Sequence, residues 1–363
     1  MNASKAFRVG VIFLLVIAAT EYPVAYYVNF QHDFLRTARK VPPCITGTFI
    51  QYTSLVAWNY TMWDAELAEL AALGLDTIIL QWTHDAATNK TLYQSSKYAF
   101  DSASVGAGMT VANASYPNHD QPDMLNVFFD LVEKHGLRVH VGLSADWTFW
   151  WQMDNATWLA AEVAEARFLA GEILGRYKHL PSLAGIYIPY EDIFGSDAGA
   201  PEGKHYGEFL ARIAGAVKEA ELAAFGGHRL QVSVAPACAP AWYGQVRSYM
   251  DALLAAAGLD VLIVQDSVGA GRCDPVRDLP PVYAAIADSC AAAGVEFWTD
   301  LEIFDIDTWL PCTMNRLATQ LDVECRYADK IVVFDIPHYL SEQYSTPALA
   351  LHDAYEAYLA TSP

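Results

Sequence analysis

The sequence predicts an α/β chain folded as one (β/α)8 barrel, on three observations. Strand-like and helix-like segments alternate strictly after residue 43, the strand patterns number eight, and glycines stand between helices and the strands that follow them. Strict alternation implies a parallel sheet, and eight units close it. An open doubly wound sheet is the rival, but no glycine-rich GxGxxG turn accompanies the pattern.

The expected strands are Ile45–Gln51, Asp76–Gln81, Arg138–Leu143, Leu183–Ile188, Leu230–Val234, Asp260–Gln265, Val295–Asp300 and Lys330–Asp335. Each is a short apolar run of the kind a fully covered parallel strand needs. The expected helices are Trp63–Leu73, Asp123–His135, Thr157–Tyr177, His205–Ala224, Ala241–Ala257, Pro281–Ala293, Met314–Tyr327 and Pro347–Ala360. Gly74, Gly136, Gly258 and Gly294 suit the C-terminal caps of four of them. The longest insertion, Thr83–Gln121, follows strand two and is expected to form a lid or cleft wall.

At 363 residues, 53% hydrophobic and 18% charged, the chain can bury a large single core. A formal charge of -20 disfavours nucleic acid and anionic membrane as partners, since both are negative. Residues 1–20 predict a signal peptide: Lys5 and Arg8 precede the apolar run Val9–Ala19, and Ala18, Ala19 and Thr20 are small enough to precede a cleavage site. The alternative is an uncleaved anchor extending to about residue 30, as in a single-pass type II membrane protein. Residues 21–43 lead into the barrel, which takes 44–363. A secreted or lumenal location agrees with sequons at Asn59, Asn89, Asn113 and Asn155.

Of the six cysteines, Cys238, Cys273 and Cys312 follow strands, whereas Cys44, Cys290 and Cys325 precede them. Disulfide geometry therefore permits at most one bridge at each end of the barrel. No CxxC or HExxH spacing suggests a metal, although His84, Asp85 and His140 would serve a metal-dependent alternative.

Barrel enzymes keep their chemistry at the C-terminal ends of the strands, where Glu191 follows strand four and Glu302 follows strand seven. The two-residue period turns Trp298, Asp300 and Glu302 inward together, and likewise Tyr187 with Glu191. Thr77, Gln81, His140, Ser144, Gln231, Ser233 and Asp335 are expected to line the lumen as well. Asp266, Asp146, Tyr190 and His338 lie near the same rim, and Trp82, Trp147, Trp150 and Trp151 could offer flat faces to sugar rings. Paired carboxyls suit glycosidic cleavage, in which one protonates the leaving oxygen while the other attacks the anomeric carbon or activates water. That chemistry needs an oligosaccharide or polysaccharide and no cofactor. A glycan-binding barrel without turnover is the alternative.

The blocks GTFIQ (Gly47–Gln51), LGLDTIILQW (Leu73–Trp82), GLSADWTFWW (Gly142–Trp151), GIYIPYE (Gly185–Glu191), VQDSVGAG (Val264–Gly271) and WTDLEIF (Trp298–Phe304) resemble the domain of unknown function 4434 family (DUF4434), glycosidase-like TIM barrels. The layout is also similar to barrel glycosidases with acids after strands four and seven. That resemblance implies a retaining mechanism, with Glu191 as acid/base and Glu302 as nucleophile. Tyr190 departs from it, because those enzymes place Asn just before the strand-four glutamate.

Overall fold

A computed structural model describes residues 44–101, 124–153, 155–191, 193–194, 204–238 and 245–361. The expected signal or anchor segment, the sequon at Asn113 and the end of the long insertion lie outside these residues. Among the described residues, no helix is long and apolar enough to cross a membrane.

Eight parallel strands make the barrel wall: β1 Gly47–Ile50, β2 Thr77–Leu80, β3 Arg138–Gly142, β4 Leu183–Ile188, β5 Gln231–Val234, β6 Val261–Gln265, β7 Glu296–Glu302 and β8 Lys330–Phe334. Neighbours in sequence pair in order, and β1 pairs with β8 (Gly47 opposite Val332), which closes the ring. Around it run α1 Tyr60–Ala72, α2 Met124–Lys134, α3 Ala156–Tyr177, α4 Lys204–Phe225, α5 Val246–Ala257, α6 Leu279–Ala293, α7 Met314–Glu324 and α8 Thr346–Thr361. Every expected strand and helix is present, most within a few residues of its expected ends. The α5 and α6 helices stop at Gly258 and Gly294, whose φ of 66° and 71° are left-handed values that glycine adopts without penalty.

Burial follows the two-residue period. Ile186 and Ile188 of β4 and Phe297 and Leu301 of β7 face the helices, and Phe297 meets Tyr283 of α6 edge-on at 5.4 Å. Phe49, Ile79, Tyr187, Ala235, Val261, Ile263, Trp298 and Val332 instead fill the barrel interior. Each fully buried aliphatic side chain in the outer layer contributes about 1.5–3 kcal/mol, so slipping a strand by one residue would be very costly. The lower interior also holds the buried His140, whose Nδ1 lies 3.0 Å from Ser233 Oγ; burial pushes its pKa down to about 3, which keeps it neutral.

Strand eight corrects one expectation. It ends at Phe334, which follows Val332 inward, while Asp335 caps the short helix Ile336–Tyr339 by accepting the His338 N–H at 3.0 Å. The described start of the long insertion forms a small sheet, in which His84–Asp85 pairs with Lys90–Thr91 and with Ser144–Ala145. Ser144, expected in the lumen, is drawn there and meets His84 Nδ1 at 2.9 Å.

Candidate active site

A cavity of about 210 Å³ opens at the C-terminal end of the barrel. Its acidic lining is Glu191, Asp300 and Glu302, its amides are Gln51, Gln81 and Gln265, and its aromatic walls are Trp147, Phe304 and Phe334. Glu191 and Glu302 thus reach one cavity from β4 and β7.

The two glutamates have unequal surroundings. Glu191 is half-buried and surrounded by donors: Tyr187 Oη gives a hydrogen bond to its Oε1 at 2.6 Å, Gln81 Nε2 to Oε1 at 3.4 Å, and Gln265 Nε2 to Oε2 at 2.8 Å. Gln265 is itself fixed, because its Nε2 also donates to Ala235 O at 2.8 Å. Burial raises the Glu191 pKa, and these three donors work against that rise by favouring the carboxylate.

Glu302 is buried, and Ala270 N–H donates to its Oε2 at 2.6 Å. Desolvation, reinforced by the nearby Asp266 charge, pushes its pKa up to about 8. Gly269 makes this position possible, since a Cβ there would lie 2.7 Å from Glu302 Cβ and 2.6 Å from Phe304 O. From behind, Arg316 holds the carbonyls of Glu302 and Phe304 at 2.9 and 2.5 Å.

Asp300 is buried one inward position before Glu302, and burial together with Glu302 and Glu191 raises its pKa well above its ordinary value. Its Oδ1 has no hydrogen-bond partner within the protein, so a carboxyl that burial biases toward the protonated form faces the cavity. Such a group can both donate to and accept from a hydroxyl.

Five residues singled out from sequence line the cavity: Gln81, Trp147, Glu191, Asp300 and Glu302. The other expected site residues lie behind or beside it. Tyr187 is wholly buried beneath Glu191, and Trp298 sits deeper, its Nε1 donating to Glu296 at 2.9 Å. Asp266 points outward into the layer under α7, where it accepts from Gln320 at 2.5 Å. Tyr190 also turns outward, packing on Phe149, Trp158 and Phe209 and donating to Glu162. Asp146 caps the turn Trp147–Trp151 and accepts from Trp158 Nε1 at 2.9 Å. Trp82 lies parallel to Tyr52 at 6.3 Å and buttresses Trp147 edge-on at 5.6 Å. Trp151 is 80% exposed, away from the lining, and His338 is held by Asp335 at 2.8 Å and Ser54 at 3.3 Å.

Sequence reasoning missed Gln51, Gln265, Phe304 and Phe334. All four lie two residues beyond an inward side chain (Phe49, Ile263, Glu302 and Val332), so the strand period carried the signal. His84 and His140, offered for a metal alternative, lie apart: one joins Ser144, the other Ser233. Among the described residues, the acid–histidine groups close enough to share an ion contain His352 and none of the cavity residues.

The model of one family, Domain of unknown function (DUF4434), matches residues 45–348. Curated proteins contain no sequence match. Among solved structures, a provisionally described alpha-L-fucosidase from Bacteroides thetaiotaomicron is 20% identical, with a TM-score of 0.66 over 89% of this chain and 99% of its own. The endo-1,4-beta-D-mannanase of Thermotoga petrophila is 10% identical, with a TM-score of 0.56 over 86% and 99%. The endo-1,4-beta-mannanase of Rhizomucor miehei is 12% identical, with a TM-score of 0.52 over 90% and 97%. The chain therefore has the fold of glycoside hydrolase barrels.

Proposed function

This chain belongs to the DUF4434 family, and we propose that it is a glycoside hydrolase working through Glu191 and Glu302. The observation that carries the reading is the convergence of these carboxyls on one cavity with unequal surroundings, three donors on Glu191 against burial and the Asp266 charge on Glu302. Glycoside cleavage needs that inequality, one carboxyl holding a proton for the leaving oxygen and the other charged toward the anomeric carbon.

In the protein alone the proton belongs to Glu302. Its carboxyl is buried, accepts from Ala270 N–H and has the Asp266 charge behind it, which together leave its pKa at about 8. Glu191, which accepts three hydrogen bonds, is the better carboxylate. On this reading Glu302 protonates the departing oxygen as the glycosidic C–O bond breaks. Glu191 attacks the anomeric carbon or activates a water, and Asp300 and the amides of Gln51 and Gln81 engage ring hydroxyls. Trp147 supplies a flat wall. Layout among barrel glycosidases favours a second reading with the roles exchanged, Glu191 as acid/base and Glu302 as nucleophile, in which bound substrate must displace the Glu302 proton.

The ligand is an uncharged glycan met in a secreted or lumenal setting. Asn59, Asn89 and Asn155 are exposed, which suits glycosylated sequons. The activities named for the similar structures supply the first substrates: aryl α-L-fucosides and β-1,4-manno-oligosaccharides. Release of new reducing ends from at least one neutral glycan is expected. Binding of glycans without any release would instead make the barrel a lectin-like pseudoenzyme.

A further inference from the structure

Beyond β7 the chain makes a tight hairpin, Phe304–Asp305 against Leu310–Pro311, that presents Trp309 to solvent. The turn is firmly built. Asp305 Oδ1 accepts from Asp307 N, Thr308 N and Thr308 Oγ1 at 3.1–3.2 Å, and Trp309 N donates to Asp305 O at 2.7 Å. Its base is pinned on both sides, by Ile306 N to Gly269 O at 3.0 Å and by Cys312 N to Ile303 O at 2.7 Å.

At the tip Trp309 adopts φ of 53°, a left-handed value unusual for a bulky side chain. Glycine or asparagine would fit that backbone with less strain, yet the position carries the largest side chain available and leaves it 59% exposed. The indole lies on Phe304, centroids 5.5 Å apart and planes 10° from parallel. Phe304 is a cavity wall, so the aromatic surface runs without a break from the cavity onto the hairpin. With one indole face covered by Phe304, the exposed remainder forms a flat apolar platform separated from the cavity by that one ring.

We infer that Trp309 is a secondary sugar-binding platform, stacking a neutral sugar unit of an oligosaccharide whose neighbouring unit occupies the cavity. The ligand class rests on the glycoside reading above, and the charge pattern narrows it. The hairpin carries Asp305 and Asp307 and no cation, and the cavity adds the Glu191 carboxylate, so uronic or sialic acids are disfavoured. Sugar rings present apolar C–H faces that match the flat apolar face of an indole.

The test compares wild type with Trp309→Ala and with Trp309→Gly, the latter suited to the left-handed backbone, so that loss of the ring is separated from a distorted turn. Binding and product release are measured on manno- and cello-oligosaccharides from disaccharide to hexasaccharide, with oligogalacturonates as the charged arm. Wild type is expected to bind longer neutral chains more tightly, and both variants to lose roughly 3- to 10-fold on those chains while disaccharide binding holds. Melting temperatures should stay together, because the ring is mostly exposed. Equal losses at every length, no gain with length in wild type, or tighter binding of oligogalacturonates overturns the inference. Binding without product release would defeat the hydrolase reading and leave the platform standing, whereas release with an unchanged length dependence would do the reverse.

Discussion

Asp266 accepts the backbone N–H of Glu302 through Oδ1 at 3.3 Å, so a wholly buried acid stands directly behind the cavity glutamate. The same carboxyl accepts from Val268 N at 2.9 Å and from Gln320 Nε2 at 2.5 Å. Its charge helps lift the Glu302 pKa to about 8, after desolvation, which is the larger cause. It acts through Glu302 and touches no part of the cavity.

Asp266→Asn should therefore move a pH profile. If Glu302 gives the proton, kcat/KM falls as pH rises through about 8, and removing the charge behind it shifts that fall to lower pH. If Glu302 is the nucleophile, activity instead rises as it ionises, and the variant extends activity downward in pH. A profile unmoved by the substitution would contradict the coupling in either form.

Tyr187→Phe removes one of three donors to Glu191 and leaves the ring's packing in place. The carboxylate loses support, so the Glu191 pKa rises and the acid limb of kcat/KM moves to higher pH. A loss of about 10-fold at neutral pH is expected, the scale of one hydrogen bond to a charged group. Melting temperature provides the control, and unchanged kinetics would contradict a role for Tyr187 in charging Glu191.

Gly269→Ala forces a methyl to within 2.7 Å of Glu302 Cβ. Backbone and side chain must shift to relieve it, at a cost of about 1–3 kcal/mol. Because the clash falls on a cavity carboxyl, activity should fall more than tenfold in protein that remains folded by circular dichroism. Full activity would show that Glu302 need not stand where it does.

The buried acids also predict how stability varies with pH. Desolvation raises Glu302 to about 8 and holds Asp266, Asp300 and Glu324 above their ordinary values. A carboxyl whose folded pKa is raised contributes stability below its unfolded pKa and loses that contribution as pH rises toward the folded value. The melting temperature should thus decline between pH 5 and about pH 8. Glu324→Gln, neutral at every pH, should melt higher than wild type at pH 8. A lower melting point there would contradict burial as the dominant cause.

Cys238 and Cys273 place their sulfurs 3.9 Å apart in a buried setting at the C-terminal end of the barrel. The placement of cysteines after strands allowed one bridge at that end, and the geometry selects this pair over either with Cys312. Protein made in an oxidising compartment should yield a Cys238–Cys273 linked peptide under non-reducing digestion, with stability lower by about 2–4 kcal/mol once reduced. Recovery of both as alkylated thiols would contradict the pairing.

The barrel was legible because strand and helix periods repeat eight times, and a buried strand tolerates no slip of its two faces. The site was legible wherever that period was followed to the end of a strand. Gln81, Glu191, Asp300 and Glu302 keep the parity of the inward residues before them. Trp82, Tyr190 and Asp266 have suitable chemistry, but each is one residue from an inward position: Trp82 backs the cavity wall Trp147, and the other two turn into the packing between barrel and helices. Gln265 stands beside the chemically more conspicuous Asp266, although the inward parity of Val261 and Ile263 leads to the amide. Other features were hidden because they depend on contacts distant in sequence, such as Arg316 on the Glu302 carbonyl and the donor set around Glu191.

The central claim is that Glu191 and Glu302 act as one catalytic pair, and the most direct measurement is hydrolysis of the best neutral glycan by wild type, Glu191→Gln and Glu302→Gln. Both variants keep side-chain size and should melt near or above wild type. The account predicts that each loses activity by at least about 1,000-fold while glycan binding survives, as expected when one member of an acid–base or nucleophile pair is removed. Near wild-type hydrolysis by either variant would contradict it.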